Sequence, residues 1–280
     1  MSIDTAETPI KYTTFVSFDI ETTGFSPIKD RIVEIGAVKF QNQKIIDTFQ
    51  ELIDPKMPIS PGATAVNGIT DDMVLGKPTI DEILPRFNSF LRRNIPVAHN
   101  APFDVGFLSY DISRLNLEAS DRPVLDTCAI PKRVFPSFFS YSLENLAYAL
   151  NIKSRIFHRA LADSEVCMKL FLKCILNMGD PGQITLKDVL SVNGPALCLR
   201  TGEITFEVPF MPLKEALETG DSIGIIYQDA RGSVTTRRIV PLSVGLFRGI
   251  TMVEAFCSLR QDKRNFRLDR ILEIKSGQDA

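Results

Sequence analysis

The sequence predicts an α/β domain followed by a small, mostly β domain. Three observations carry this. Strand-like runs come first and give way to alternating helical and strand-like periods, the pattern of an α/β layer structure. Gly179-Asp180-Pro181-Gly182 then interrupts the pattern, and beyond it short runs rich in Ile, Val, Phe and Thr recur between turns. The chain has 280 residues, long for one domain and comfortable for two. The expected boundaries are a flexible N-terminus over 1–12, a first domain over 13–178, a linker over 179–202, a second domain over 203–275 and a flexible C-terminus over 276–280.

Residues 14–20, 31–40 and 44–53 read as strands. Asp30 and Gln41-Asn42-Gln43 punctuate them, and connections this short suit antiparallel neighbours. The stretch from Pro58 to Pro78 is rich in Pro, Gly and Thr and reads as loops and short helices. Ile83, Leu84, Phe87 and Leu91 recur at helical spacing and predict a helix over 80–93. Ile95-Pro96-Val97-Ala98 is a short strand ending at His99-Asn100. Pro102 suits a first helical turn, so a helix is expected to run to Asn116, with Asn100 or Ala101 near its cap. Residues 123–126 read as a short strand, and 143–150 and 161–176 as helices. In the second domain a short helix over 213–219 precedes strands over 223–227 and 233–240, joined by a turn at 229–232.

Composition narrows the class. With 44% hydrophobic and 24% charged residues the chain can bury an ordinary core, and a net charge of -2 neither requires nor excludes an anionic partner. Five cysteines, an odd number with no C-x-x-C pair, fit free thiols in a reducing cytoplasm better than disulfides or a zinc site. Met1 to Lys11 is polar and lacks the apolar core of a signal peptide. No apolar run reaches the roughly 18 residues of a membrane span. There is no low-complexity segment and no evident repeat.

Acidic residues then stand out. The apolar run Phe15-Val16-Ser17-Phe18-Asp19-Ile20-Glu21 ends in two of them. Residues i and i+2 of a strand share a face, so Asp19 and Glu21 project together. Two carboxylates at the end of a buried strand resist desolvation and repel each other, and a divalent cation neutralises both. That points to a metal-dependent hydrolase; for the pair alone, a solvated strand end is the other reading. Asp104 falls in a first helical turn, where the macrodipole favours an acid with or without a catalytic role. His158 and Asp163 are five apart, about 140° around a helix, so they share no helical face. Asp163 is expected on a helix and His158 on the loop before it, free to swing toward a bound water. The chain has two histidines, His99 and His158, and each lies near such an acid.

Together, Asp19-Ile20-Glu21-Thr22-Thr23-Gly24, His99-Asn100-Ala101-Pro102-Phe103-Asp104 and His158-x-Ala160-x-x-Asp163 resemble the three exonuclease motifs of the DEDDh family, closest in flavour to the epsilon proofreading subunits of DNA polymerase III. The resemblance covers residues 13–176, and Pro61 to Thr70 adds a further match, although relatives often carry His where this chain has Asn67. It implies a ribonuclease-H-like fold with a mixed central sheet and 3′→5′ exonuclease activity. It also implies that Asp19, Glu21, Asp104 and Asp163 hold two Mg²⁺ or Mn²⁺ ions, Asp19 bridging them, and that His158 is the general base. Oxygen-only ligands suit such hard cations. Two of them activate water and stabilise the leaving 3′ oxygen of a phosphodiester. By the same resemblance Thr22, Thr23 and Phe103 line the terminal nucleotide; core packing is the other reading of Phe103.

Between Arg231 and Lys275 there are ten basic residues against four acidic ones, so charge is polarised toward the second domain. A surface for phosphates and a solvated charged face are both compatible with this. The segments Ile225-Ile226-Tyr227, Arg238-Ile239-Val240-Pro241-Leu242, Glu254-Ala255-Phe256-Cys257-x-x-Arg260 and Arg264 to Ile271 resemble a WYL domain, although the chain has no Trp and Met252-Val253 stands near the place of the tripeptide. That family implies a small SH3- or Sm-like barrel that binds nucleic acid or a nucleotide-like ligand, with Arg238, Arg260, Arg264 and Arg267 as pocket residues. The expected partners are single-stranded 3′ ends, DNA foremost, with replication or repair proteins, and no membrane. The rival readings are an RNA-directed 3′→5′ exoribonuclease and a DNA-end-binding regulatory protein with weak nuclease activity.

Overall fold

A computed structural model of the chain describes residues 6–154, 157–194, 197–199, 210–229, 232–247 and 250–275. The chain divides into two compact units, Met1–Phe25 with Asp30–Gly202, and Ser26–Lys29 with Glu203–Ala280. The expected flexible C-terminus and the first five residues of the expected flexible N-terminus lie outside the described residues.

The first unit opens with an antiparallel meander of β1 (Thr14–Thr22), β2 (Ile32–Gln41) and β3 (Lys44–Leu52). Two short helices, α1 (Pro61–Asn67) and α2 (Asp71–Val74), lead to α3 (Ile80–Leu91). The alternation then runs β4 (Ile95–Ala98), α4 (Pro102–Arg114), β5 (Leu125–Asp126), α5 (Ile130–Val134), α6 (Leu143–Ala149) and α7 (Ala160–Met178). The sheet order is β3-β2-β1-β4-β5, with β4 parallel to β1 and β5 parallel to β4, so the sheet is mixed as expected. Both faces are covered. On one, Phe15, Phe40, Val97 and Leu125 pack with Leu146, Leu170 and Phe171 of α6 and α7. On the other, Val16, Phe18, Ile20 and Ala37 pack with Ile83, Phe87, Val105 and Leu108 of α3 and α4. Asp19 and Glu21 alternate with Phe18 and Ile20, which places them on the α7 face.

The described part of the expected linker over 179–202, residues 179–194 and 197–199, instead packs within the first unit. Thr185 and Asp188 form a capping box that starts α8 (Leu186–Asn193), and Leu186 and Val189 are buried in the same core, where α8 packs by α5 and β5. The start of the chain closes over this segment: the Ile10 and Lys11 N–H groups donate to the Ile184 and Pro181 carbonyls at 2.8 and 3.0 Å, and Ile10 is buried. Residues 7–12 therefore also depart from the expected flexible lead-in, for they carry the Glu7–Lys187 ion pair and a 3₁₀ turn. Ser109 Oγ donates to the Leu199 carbonyl, tying the end of the segment to α4.

In the second unit α9 (Met211–Thr219) precedes β6 (Ile223–Gln228), β7 (Val234–Phe247), β8 (Ile250–Cys257), β9 (Asp262–Arg267) and β10 (Ile271–Lys275). All pairings are antiparallel and the last strand returns beside the first, in the order β10-β6-β7-β8-β9. Leu213, Ile225, Ile239, Val253, Ala255 and Phe266 form its core. The strand expected to end at 240 continues through Pro241. Proline has no N–H to give the ladder, and the register shifts there, between Pro241 and Ser243. None of the five cysteines is in a disulfide. No helix among the described residues is long and apolar enough to cross a membrane.

Candidate active site

β1 delivers Asp19 and Glu21, α4 delivers Asp104 in its first turn, and α7 delivers Asp163 in its first turn. Among the described residues, carboxylate oxygens of Asp19, Glu21 and Asp163 all lie within 4.8 Å of one another. Asp104 is buried, and its Oδ1 accepts the backbone N–H of Ile20 at 3.1 Å, which anchors α4 to β1 between the two strand acids. Asp163 is buried too; its Oδ2 accepts the N–H of His158 at 2.8 Å, while its Oδ1 is buried without a hydrogen-bond partner.

The charges are strongly coupled. Asp19 is pushed well above the usual carboxylate range by burial and then by the neighbouring Asp104, Glu21 and Asp163 charges. Burial likewise raises Asp104, against the two backbone N–H groups that its carboxylate accepts. Glu21 rises to about 7 through burial and the Asp163 charge, and Asp163 to about 6 through burial. A carboxylate raised on folding adds stability below its unfolded pKa, and that contribution is lost as pH rises through the folded value. The metal-free chain is therefore expected to melt at progressively lower temperature from about pH 5 to about pH 8, and excess Mg²⁺ to flatten the slope. A metal-free melting temperature that rises over this range would contradict the electrostatics.

These residues fit a divalent cation. The donors are all hard carboxylate oxygens, they converge, and one of them is a buried orphan, an arrangement that is expensive unless a cation completes it.

His158 precedes α7, on the loop, as expected. It has a positive φ of 60°, its ring is half exposed, and Nε2 lies 3.2 Å from Oε1 of Glu144 at the start of α6. His99 differs: burial lowers it to about 4, and its Nδ1 sits 3.0 Å from Thr127 Oγ1, just beyond the ends of β4 and β5. Thr22 and Thr23 are buried and their hydroxyls shape the turn itself: Thr22 Oγ1 donates to the Gly24 carbonyl and Thr23 Oγ1 accepts the Arg31 N–H. Phe103 is half-buried; its ring packs on Phe107 at 5.1 Å and meets Phe25 edge-on at 6.4 Å.

Two site neighbours, Phe25 and Glu34, were not legible in the sequence, and Asn67 stood out there only by its departure from the His common in relatives. Phe25 directly follows the Thr22-Thr23-Gly24 turn, is 87% exposed and, among the described aromatic rings, meets only that of Phe103; its position just after the motif was the available signal. Asn67, at the end of α1, donates to the Thr22 carbonyl at 3.4 Å and offsets part of the rise of Glu21. Glu34 on β2 is fully buried and pairs with Arg159 at 2.8 Å.

The four arginines of the second unit do not converge. Val240 opposes Phe256, and Phe256 opposes Lys263, so alternation puts Arg238, Lys263 and Arg267 on the face away from the core. Arg264 opposes the buried Ala255 and lies at the margin of the core face, and Arg260 occupies the turn between β8 and β9.

Comparison with known proteins agrees with this geometry. Residues 16–171 match the family model RNase_T, described as exonuclease, and residues 210–276 match the WYL domain. A DNA polymerase III subunit epsilon of Treponema pallidum is 41% identical over 167 residues, 59% of this chain and 78% of the relative. A PolC-type DNA polymerase III of Caldanaerobacter subterraneus subsp. tengcongensis is 39% identical over 178 residues, 64% of this chain, which spans only 13% of that polymerase. Among solved structures, exonuclease X in complex with 5′-overhanging duplex DNA matches 64% of this chain and 99% of its own, at 27% identity and a TM-score of 0.52. Exonuclease I shares the fold at 17% identity, with a TM-score of 0.55 over 87% of this chain and 55% of its own. The chain belongs to the exonuclease (RNase_T) family, and it carries a WYL domain after the exonuclease fold.

Proposed function

We propose that this chain is a metal-dependent 3′→5′ exonuclease that removes nucleotides from single-stranded DNA ends. The observation that carries the reading is the convergence of Asp19, Glu21 and Asp163, with the orphan Oδ1 of Asp163, inside an exonuclease-family fold. Asp19, Glu21, Asp104 and Asp163 would hold two Mg²⁺ or Mn²⁺ ions. What the cations supply when bound is positive charge, which favours hydroxide over water and stabilises the oxygen leaving phosphorus. His158 takes the proton of the attacking water on its half-exposed ring, where Glu144 stands ready to balance the imidazolium. DNA is favoured as substrate because the relatives are DNA polymerase III proteins and the exonuclease X structure contains DNA.

Phe25 and Phe103 offer an aromatic corner to the terminal bases, the exposed ring of Phe25 stacking on one of them. Phe25→Ala is expected to raise KM for a single-stranded oligonucleotide about tenfold, with kcat within about twofold, because one base–aromatic stack is worth ~1–3 kcal/mol. Steady-state kinetics with a 3′-labelled oligonucleotide check this, and an unchanged KM removes Phe25 from the substrate path. In the WYL unit, Arg238 and Arg267 on one sheet face suit backbone phosphates of a nucleic acid.

The deciding experiment compares 3′-labelled and 5′-labelled single-stranded DNA and RNA of one sequence, in Mg²⁺ and in EDTA. Mg²⁺-dependent release of the 3′ label from DNA, ahead of RNA, is the expected result. Faster loss from RNA makes the chain an exoribonuclease, and no metal-dependent loss from either ends the enzymatic reading.

A further inference from the structure

Glu34 is a buried acid that the proposed reaction does not use. It stands opposite Glu21 in the β1–β2 ladder, so both carboxylates project from the same face, and like charges in such a pair are destabilising. Yet Glu34 is fully buried and ionised. Burial would raise it, but hydrogen bonds from Arg159, the Ala160 N–H and Gln50 outweigh burial and hold it below the usual range. Arg159 donates through Nη2 at 2.8 Å and Nε at 3.1 Å, the Ala160 N–H at 3.1 Å and Gln50 Nε2 at 3.2 Å. With its oxygens occupied in this way, Glu34 is not a further cation ligand.

Three of these four bonds come from the start of α7. That helix begins at Ala160, and its N-cap residue, Arg159, makes no side-chain cap. Glu34 supplies the missing acceptor from another element, taking the first N–H of the helix. Two residues along β2, the Gly36 carbonyl accepts Ser164 Oγ at 2.8 Å, so the same strand holds the helix again one turn later. Asp163 lies between these two anchor points, and its Oδ2 in turn holds the His158 N–H. The cap, the metal ligand and the base thus hang on one strand.

We propose that Glu34 and Arg159 are positioning residues: the ion pair of the buried Glu34 with Arg159 sets the register of α7 against β2, so that Asp163 meets Asp19 and Glu21. A buried ion pair adds little net stability compared with packed apolar side chains, whereas its directional bonds define one register. Partners behind the ligands of a metal site commonly change metal affinity by about 10–100-fold when removed.

This inference rests on the metal reading above. The test is direct Mn²⁺ binding to the full chain, followed by electron paramagnetic resonance of the free ion, alongside kinetics on a single-stranded oligonucleotide. Glu34→Gln keeps the volume and one acceptor for Ala160 but loses the charge. It is expected to bind Mn²⁺ at least about tenfold more weakly, to need correspondingly more Mg²⁺ for activity, and to keep the KM for DNA. Arg159→Lys, which keeps the charge with fewer donors, should lose less. A folded Glu34→Gln chain with a smaller loss of Mn²⁺ affinity overturns the proposal. If Glu34→Gln does not fold, Arg159→Gln, which removes the partner that is one-third exposed, decides by the same criterion. A wild-type chain that binds no Mn²⁺ overturns the metal reading instead, so the two failures are distinct.

Discussion

Asp19→Asn is expected to lower the turnover of 3′-labelled single-stranded DNA by on the order of ten-thousand-fold at saturating Mg²⁺, as loss of an essential catalytic group does. The same change should raise the stability of the metal-free chain by about 1 kcal/mol. Asp19 is the most crowded acid of the site: Asp104, Glu21, Asp163 and Glu34 all push its proton affinity up. An amide keeps the volume and removes the repulsion. Metal-free, therefore, the native residue is a source of strain, and bound cations turn that strain into affinity. Single-turnover kinetics and thermal melts in EDTA read the two effects separately. An unchanged rate would remove Asp19 from the metal site, and a lower metal-free melting temperature would refute the crowding.

Gly36→Ala carries the second large effect, on stability. A Cβ built on Gly36 would fall onto the backbone of Ala160 and Leu161, where α7 rests directly on β2. Backbone on both sides leaves no flexible side chain to move aside, so the expected loss is about 3 kcal/mol. For a unit of this size that lowers the melting temperature by roughly 10 °C. The displaced helix start would also carry Asp163 away from Asp19, so the surviving folded fraction should need more Mg²⁺. Calorimetry of the full chain checks the first part and Mg²⁺ titration of activity the second. A variant that melts with the wild type would show that α7 is not seated on Gly36.

The two substitutions differ in how visible their targets are. For the Asp19–Glu21 pair alone a solvated strand end was the other reading, and the three motifs together carried the assignment. Asp19 could still be singled out from local pattern, because acids at i and i+2 closing an apolar strand share a face. Gly36 and Glu34 could not. Both sit inside an apolar strand run, and nothing local to Ile32-Val33-Glu34-Ile35-Gly36 announces a partner 125 residues along the chain. The linker expectation failed for a related reason. Gly179-Asp180-Pro181-Gly182 has the composition of a break, but Leu186 and Val189 find an apolar surface by α5 and β5 that exists only after the sheet is formed. The β7 strand outran its expected end because a register shift accommodates Pro241, and a shift is a property of two strands, not one.

What the sequence determined by itself was the type of most elements of the first unit, the acids and histidine of the three motifs, and the oxygen-only chemistry they imply. These are short-range properties: side-chain periodicity, caps and residue type act within a few positions of one another. What only the tertiary structure decided was which acids converge, that Asp104 bonds the Ile20 N–H at 3.1 Å while three others form the cluster, that Arg238 and Arg264 face opposite ways, and that Glu34 is bound to the start of α7. The physical reason is that distance between remote segments is set by core packing and strand register, and a one-residue difference in register turns every side chain to the other face.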